Sequence, residues 1–146
     1  MSKPVKIGPW GGNGGTEYDV EPKPTRLVSV TISSGVVIDT ISFVYVSTDD
    51  DTPQYIAGKW GGNGGTDDTI TLDRTNRVTE ISGTVGTFGS SEIVTSLEIS
   101  TSKEYTRRYG TANGTPFRIP VLEGKIVGFF GRAGNFLDAI GIYVAP

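Results

Sequence analysis

The heptapeptide Trp-Gly-Gly-Asn-Gly-Gly-Thr occurs twice in this chain, at Trp10–Thr16 and at Trp60–Thr66. An altered copy, Tyr-Gly-Thr-Ala-Asn-Gly-Thr, occupies Tyr109–Thr115. The three copies begin at intervals of 50 and 49 residues in a chain of 146. Repetition at that period implies one supersecondary unit used three times around a shared core. Four glycines in seven positions cost conformational entropy unless the backbone needs positive φ or must approach something closely. A tight hairpin turn would meet that need for a single copy. The same heptapeptide kept at two sites points beyond turn geometry.

A second element repeats beside the first. Gly35-Val36-Val37-Ile38-Asp39 and Gly134-Asn135-Phe136-Leu137-Asp138 share the pattern Gly-x-x-x-Asp, with Ile41 and Ile140 two positions on. Ser91-Glu92-Ile93-Val94-Thr95 aligns with both, but Ser91 replaces the glycine and Thr95 the aspartate. From aspartate element to following glycine loop the distances are 25 and 18 residues and, counted through the joined termini, 22. Each unit is therefore an aspartate loop followed by a glycine loop. Two are intact and one is degraded, and one of the intact pair is split between the chain ends, an arrangement expected to bring Met1 and Pro146 together.

Strand signals dominate the rest. Val36–Val46 alternates, with Asp39, Ile41, Phe43 and Tyr45 on one face. Glu92–Ser100 places Ile93, Thr95, Leu97 and Ile99 in one phase, and Phe136–Val144 does so with Asp138, Ile140, Ile142 and Val144. Further strands are expected at Val5–Gly8, Arg26–Ile32, Gln54–Lys59, Asp68–Leu72, Val78–Gly83, Phe117–Pro120 and Ile126–Gly131. No segment carries a sustained 3.6-residue period, so the fold class is all-β. One domain, residues 1–146, is the natural reading at this length.

Composition excludes several functions. With no cysteine and no histidine, thiol chemistry, imidazole catalysis and His-ligated metals are out of reach. A net charge of −3 argues against nucleic acid as a partner, and the Arg107-Arg108 pair with Lys103 is too small to reverse that. Asp49-Asp50-Asp51 reads as a solvated hairpin tip rather than a calcium loop. The N-terminus lacks the apolar run of a signal peptide and no stretch is long enough to cross a membrane. A cytoplasmic or nucleocytoplasmic protein is expected, with the sequon Asn113-Gly114-Thr115 unused.

A carboxylate beside a glycine loop has a definite chemistry. Its two oxygens accept from neighbouring hydroxyls, and exposed backbone amides supply donors in fixed positions. Together they suit the edge of a sugar ring, with Phe136 or the Val36-Val37 pair offering apolar contact. Glycoside hydrolysis needs two carboxylates about 5–10 Å apart across one bond, and each unit offers one. No enzyme activity, metal or cofactor is expected. Taken singly, Asp39 and Asp138 would also serve as turn caps.

The N-terminal Trp-Gly-Gly-x-Gly-Gly, with Phe129–Tyr143 (Phe-Phe-Gly-Arg-Ala-Gly-Asn-Phe-Leu-Asp-Ala-Ile-Gly-Ile-Tyr), resembles the jacalin-related lectins. Val5–Gly8, Glu80–Gly83 and Gly114–Phe117 extend the likeness over essentially the whole chain, nearest to the mannose-binding branch of banana and cereal lectins. The resemblance implies a β-prism I fold: three four-stranded antiparallel sheets with pseudo-threefold symmetry, one completed by a terminal strand. It implies one sugar site at Gly15, Asn135, Phe136 and Asp138. There the carboxylate accepts from O4 and O6, the Asn135 and Phe136 amides donate to O5 and O6, and that of Gly15 to O3. A second site would use Gly65, Val36, Val37 and Asp39 in the same roles. The third unit, with Thr95 for the acid and Asn113 for a glycine, is expected to be empty. Gly86–Ser90 corresponds to a loop that neighbours the sites and affects oligosaccharide preference.

Galactose-type members are cleaved before a new N-terminal glycine and carry aromatic residues just before the site aspartate. Here Gly15-Thr16-Glu17-Tyr18 is continuous and Asn135-Phe136-Leu137 precedes Asp138, which favours mannose and glucose. The expected partners are mannose- and glucose-containing glycans, with no nucleic acid, no membrane insertion and a homodimer as the assembly. The other class the residues allow is a protein-interaction module that keeps the fold without sugar binding. Trp10 and Trp60 read as packing anchors below their loops.

Overall fold

The structure, a computed structural model, describes residues 3–103 and 105–146; Met1 lies outside them, so the expected meeting of Met1 with Pro146 is not described. Twelve strands follow one another without a helix among these residues. They are β1 (Val5–Gly11), β2 (Thr16–Tyr18), β3 (Arg26–Ser34), β4 (Ile38–Val46), β5 (Gln54–Gly61) and β6 (Thr66–Thr71). Then come β7 (Val78–Phe88), β8 (Ser91–Thr101), β9 (Thr106–Gly110), β10 (Thr115–Pro120), β11 (Lys125–Ala133) and β12 (Leu137–Ala145).

Hydrogen bonding joins them into a four-stranded sheet, β5-β4-β3-β6, and an eight-stranded sheet. The larger sheet has two antiparallel quartets, β1-β12-β11-β2 and β9-β8-β7-β10. They meet through the single pairing Ile126–Val78. All three quartets share one plan. A central hairpin (β3-β4, β7-β8 or β11-β12) is flanked by two outer strands, and a glycine loop joins the outer strands over the mouth of the hairpin. That plan brings each glycine loop onto the start of the second hairpin strand, where the aspartates lie. In one quartet the flanking strands come from the N-terminus and the hairpin from the C-terminus, with Val5 opposite Val144.

The core lies between the quartets and draws on all three central hairpins: Ile32 and Phe43, Ile81 and Leu97, Phe129 and Ile142. Phe43 sits edge-on to Phe129 (centroids 5.2 Å apart) and to Trp60 (5.5 Å), tying two quartets together. Such aromatic pairs are worth about 0.5–1.5 kcal/mol beyond the area they bury. Trp60 is buried and stacks on Tyr18 at 5.6 Å, while the half-buried Trp10 stacks on Phe117 at 5.9 Å. Both indoles therefore reach across to another quartet rather than into their own loops.

The strand pattern departs from simple alternation in β12. Leu137 through Tyr143 is buried without interruption and Val144 is only partly covered. A register shift between Ile126 and Gly128 on β11 moves Tyr143 inward, where Val144 was expected. β7 and β8 run longer than their apolar pattern suggests, so that only Gly89 and Ser90 form the turn between them.

Candidate functional site

Asp138 enters β12 at its second residue and Asp39 enters β4 at its second, each directly under a glycine loop. Side chains one residue further along a strand point to the opposite face, yet both faces are covered here, and the two aspartates are each only 7% exposed. A Cβ on Gly15 would stand 2.7 Å from Asp138 Oδ1, and one on Gly14 would stand 2.9 Å from Oδ2. At the other site a Cβ on Gly65 would lie 2.6 Å from Asp39 Oδ2 and one on Gly64 would lie 2.8 Å from Oδ1. Gly15 and Gly65 also adopt positive φ, +71° and +83°. Close approach and left-handed backbone together explain the glycines. Each loop wraps a carboxylate with bare main chain.

The hairpin turns complete both sites. Gly134 N–H donates to the Phe136 carbonyl at 3.0 Å and Gly35 N–H to the Val37 carbonyl at 3.1 Å, so the two turns have the same fold. Gly15, Asn135, Phe136 and Asp138 thus gather at one end of the molecule's β11-β12 hairpin, and Gly65, Val36, Val37 and Asp39 at the equivalent end of β3-β4. One detail of the expected apolar contact changes. Val36 is 66% exposed, but Val37 is 5% exposed and buried, so Val36 alone of the pair offers apolar surface. Phe136 is half-buried and meets Phe88, at the tip of β7, edge-on at 5.3 Å. An aromatic pair therefore walls the Asp138 site, and a lone valine borders the Asp39 site.

Electrostatics separates these two acids from others in the chain. Burial pushes the carboxyl of Asp39 above its ordinary range, opposed by the Gly35 N–H. Burial does the same to Asp138, opposed by the Gly134 N–H and the nearby Arg132 charge. Asp51, Asp68 and Asp73 are instead held below the usual range by hydrogen bonds, first from Arg26, Tyr109 and Thr75 respectively. Acids that stabilise a fold are generally paired, whereas a carboxylate raised by desolvation in a concave site is a candidate binding group.

Two supporting residues escaped the sequence reading. Arg132 donates through Nε to the Gly14 carbonyl at 3.0 Å and through Nη2 to the Gly15 carbonyl at 3.1 Å. Ser33 Oγ donates to the Gly64 carbonyl at 2.8 Å. Both stand two residues before the turn glycine, Gly134 or Gly35, and that shared offset was the available signal.

The third unit is closed by its own side chains. Thr95, 1% exposed, donates to the Asn113 carbonyl at 2.6 Å, and Asn113 N–H donates to Thr84 Oγ1 at 3.1 Å. The Thr84 hydroxyl in turn lies 2.6 Å from Thr95 Oγ1 and 2.7 Å from Ser96 Oγ. Donors and acceptors that face outward in the other units here satisfy one another. Elsewhere several charges are paired: Arg107 reaches Asp68 at 2.8 Å, Arg108 pairs with Glu98, and Asp51 binds both Arg26 and Arg74. Among the described residues no three acidic side chains are grouped to hold a metal ion.

Comparison with known proteins places the chain in a family. The family description "Jacalin-like lectin domain" matches residues 7–143. Horcolin of Hordeum vulgare is 68% identical over 148 residues, covering 100% of both chains. Among solved structures, a mannose-binding jacalin-related lectin from Ananas comosus superposes with a TM-score of 0.92 at 43% identity, covering 99% of each chain. Malaysian banana lectin does so with a TM-score of 0.88 at 38% identity, covering 98% of this chain and 99% of its own.

Proposed function

The chain belongs to the jacalin-like lectin family, and on that premise we propose that it binds mannose, glucose and mannose-rich glycans at two sites per chain, without catalysis and without a metal. The observation that carries the reading is the pair of buried carboxylates, Asp39 and Asp138, each wrapped by a glycine loop and each raised by desolvation. Each carboxylate accepts from two neighbouring sugar hydroxyls, O4 and O6. The turn amides, Asn135 and Phe136 at one site and Val36 and Val37 at the other, donate to O5 and O6. The Gly15 and Gly65 amides donate to O3. The relatives' names support mannose as the sugar class.

We further read the three quartets as the faces of a β-prism with pseudo-threefold symmetry and the whole chain as one domain. The shared plan of hairpin, flanking strands and glycine loop supports that reading. Two sites per chain, doubled in a homodimer, would crosslink branched glycans with avidity about 10²–10⁴ above that of one sugar.

Calorimetry with methyl α-mannoside tests the proposal. Two equivalents should bind per chain, each at about millimolar Kd or −4 kcal/mol, because a single sugar makes few contacts. One equivalent would discard the Asp39 site. No binding and no retention on mannose-agarose would leave an interaction module, and a preference for galactose would overturn the specificity.

A further inference from the structure

Each glycine loop touches a hairpin other than the one it covers, at the equivalent carbonyl each time, twice by packing and once by a hydrogen bond. Gly12 packs on the Glu92 carbonyl and Gly62 on the Asn135 carbonyl, so closely that a Cβ at either would stand 2.1 Å from the oxygen. Thr111, which holds the corresponding place in the third loop, donates its N–H to the Val36 carbonyl at 2.8 Å. The three carbonyls are also equivalent, each belonging to the second residue of its turn element after Ser91, Gly134 or Gly35. The contacts run in a closed cycle. The β1-β2 loop rests on the β7-β8 turn, the β5-β6 loop on the β11-β12 turn, and the β9-β10 loop on the β3-β4 turn.

The contacted atom matters. A trans peptide unit is planar, with its N–H directed opposite to its C=O. The Val36 carbonyl shares its peptide with the Val37 N–H, and the Asn135 carbonyl shares its own with the Phe136 N–H. A group that fixes the carbonyl from outside therefore aims the next N–H the other way, toward the site. A hydrogen bond to that carbonyl also polarises the N–H. We propose that the degraded third unit is a positioning device for the Asp39 site. Its Thr111 N–H holds the Val36–Val37 peptide so that the Val37 amide meets the sugar, whereas Gly62 meets the Asn135 carbonyl by packing alone, its own N–H going to the Asp39 carbonyl at 3.2 Å. Thr111 is a positioning residue that touches no sugar. This assignment rests on the two-site reading above.

The test follows ¹⁵N amide signals and calorimetry in parallel, with methyl α-mannoside as the probe. In an Asp138→Ala chain, where only the Asp39 site binds, the Thr111 amide should shift saturably together with that of Val37. In an Asp39→Ala chain it should stay still while the amide of Phe136 moves. Thr111→Pro deletes the donor and should weaken the Asp39 site about three- to tenfold, the worth of one backbone hydrogen bond, with the Asp138 site unchanged. Thr111→Ala keeps the N–H and should leave both sites as they were. A folded Thr111→Pro chain with parental affinity at the Asp39 site would overturn the proposal, as would equal weakening of both sites. If Thr111→Pro does not fold, a Thr111 amide unmoved by sugar in the Asp138→Ala chain overturns it alone. A parent chain that binds no mannoside would remove the two-site reading, and this proposal with it.

Discussion

Substituting Asp138 by Asn separates a ligand-binding carboxylate from a turn cap, because the two roles predict opposite changes in stability. The amide has the same shape, so packing under the Gly14-Gly15 loop is kept, but one of the two acceptor oxygens becomes an NH₂ donor. A hydrogen bond to a charged group is worth about 1.5–3 kcal/mol. Losing the charge from two such bonds and the geometry of one should cost about 2–4 kcal/mol, or roughly 30- to 1,000-fold. From a starting affinity near −4 kcal/mol, no binding would remain at that site. Calorimetry should then count one mannoside per chain instead of two.

Stability should move the other way. Burial raises the Asp138 carboxyl above its unfolded value. A group whose folded pKa is raised contributes stability that is fully present below the unfolded pKa and is lost as pH rises through the folded one. At pH 7 the ionised side chain is therefore a liability to the fold, and Asp138→Asn should melt at the parental temperature or above it. Asp68→Asn is the contrasting control. Tyr109 and Arg107 hold the Asp68 carboxyl below its ordinary range, so its stabilising contribution is present above the unfolded pKa and its loss should lower Tm at pH 7. An Asp138→Asn chain that melted several degrees lower and still bound two mannosides would refute the reasoning.

The same raised acids predict that mannoside affinity falls on acidification at both sites, with midpoints above the unperturbed carboxylate value of about 3.9, as calorimetry across a pH series would record; affinity independent of pH down to that value would contradict the role given to the carboxylates. Gly65→Ala should abolish the Asp39 site, since the new methyl would stand 2.6 Å from Asp39 Oδ2 at φ +83°. The left-handed backbone alone should cost about 1–2 kcal/mol, read as a lower denaturation midpoint with one mannoside bound. Treatment with EDTA should leave affinity and stoichiometry unchanged, and a loss of binding after chelation would show that the carboxylates act through a cation.

Much of the fold was readable because the repeat carries its own register. The spacing of Trp10, Trp60 and Tyr109, read with the Gly-x-x-x-Asp elements on a circle, identifies three units and the pairing of the chain ends, and β1 does lie on β12. Alternation located β4 and β8, the second strands of their hairpins. It missed β2, which is three residues long, and β9, whose Thr-Arg-Arg-Tyr-Gly has no apolar face of its own. β9 is an edge strand on β8, and its Arg107 binds Asp68 rather than solvent. It also failed to time β12 correctly, because a register shift on the neighbouring β11 is invisible in the sequence of β12 itself.

The candidate site was legible where backbone conformation dictates residue type and obscure where side chains act at a distance. Gly15 and Gly65 could be anticipated because glycine alone tolerates a positive φ with a carboxylate against the α-carbon. Arg132 and Ser33 support equivalent loop carbonyls with unlike side chains, so no motif links them. The third unit is the sharpest case. Thr95 in place of aspartate suggested a simple vacancy, yet Thr84, Ser96 and Asn113 fill the position with mutual hydrogen bonds. Filling this position takes a network, because an isolated buried hydroxyl or amide left facing a missing partner carries a desolvation cost of about 1–3 kcal/mol. The same network ties Asn113, two residues beyond Thr111, to Thr84 and Thr95, so the loop whose Thr111 N–H reaches the Val36 carbonyl is anchored by the hydroxyls that fill the third position.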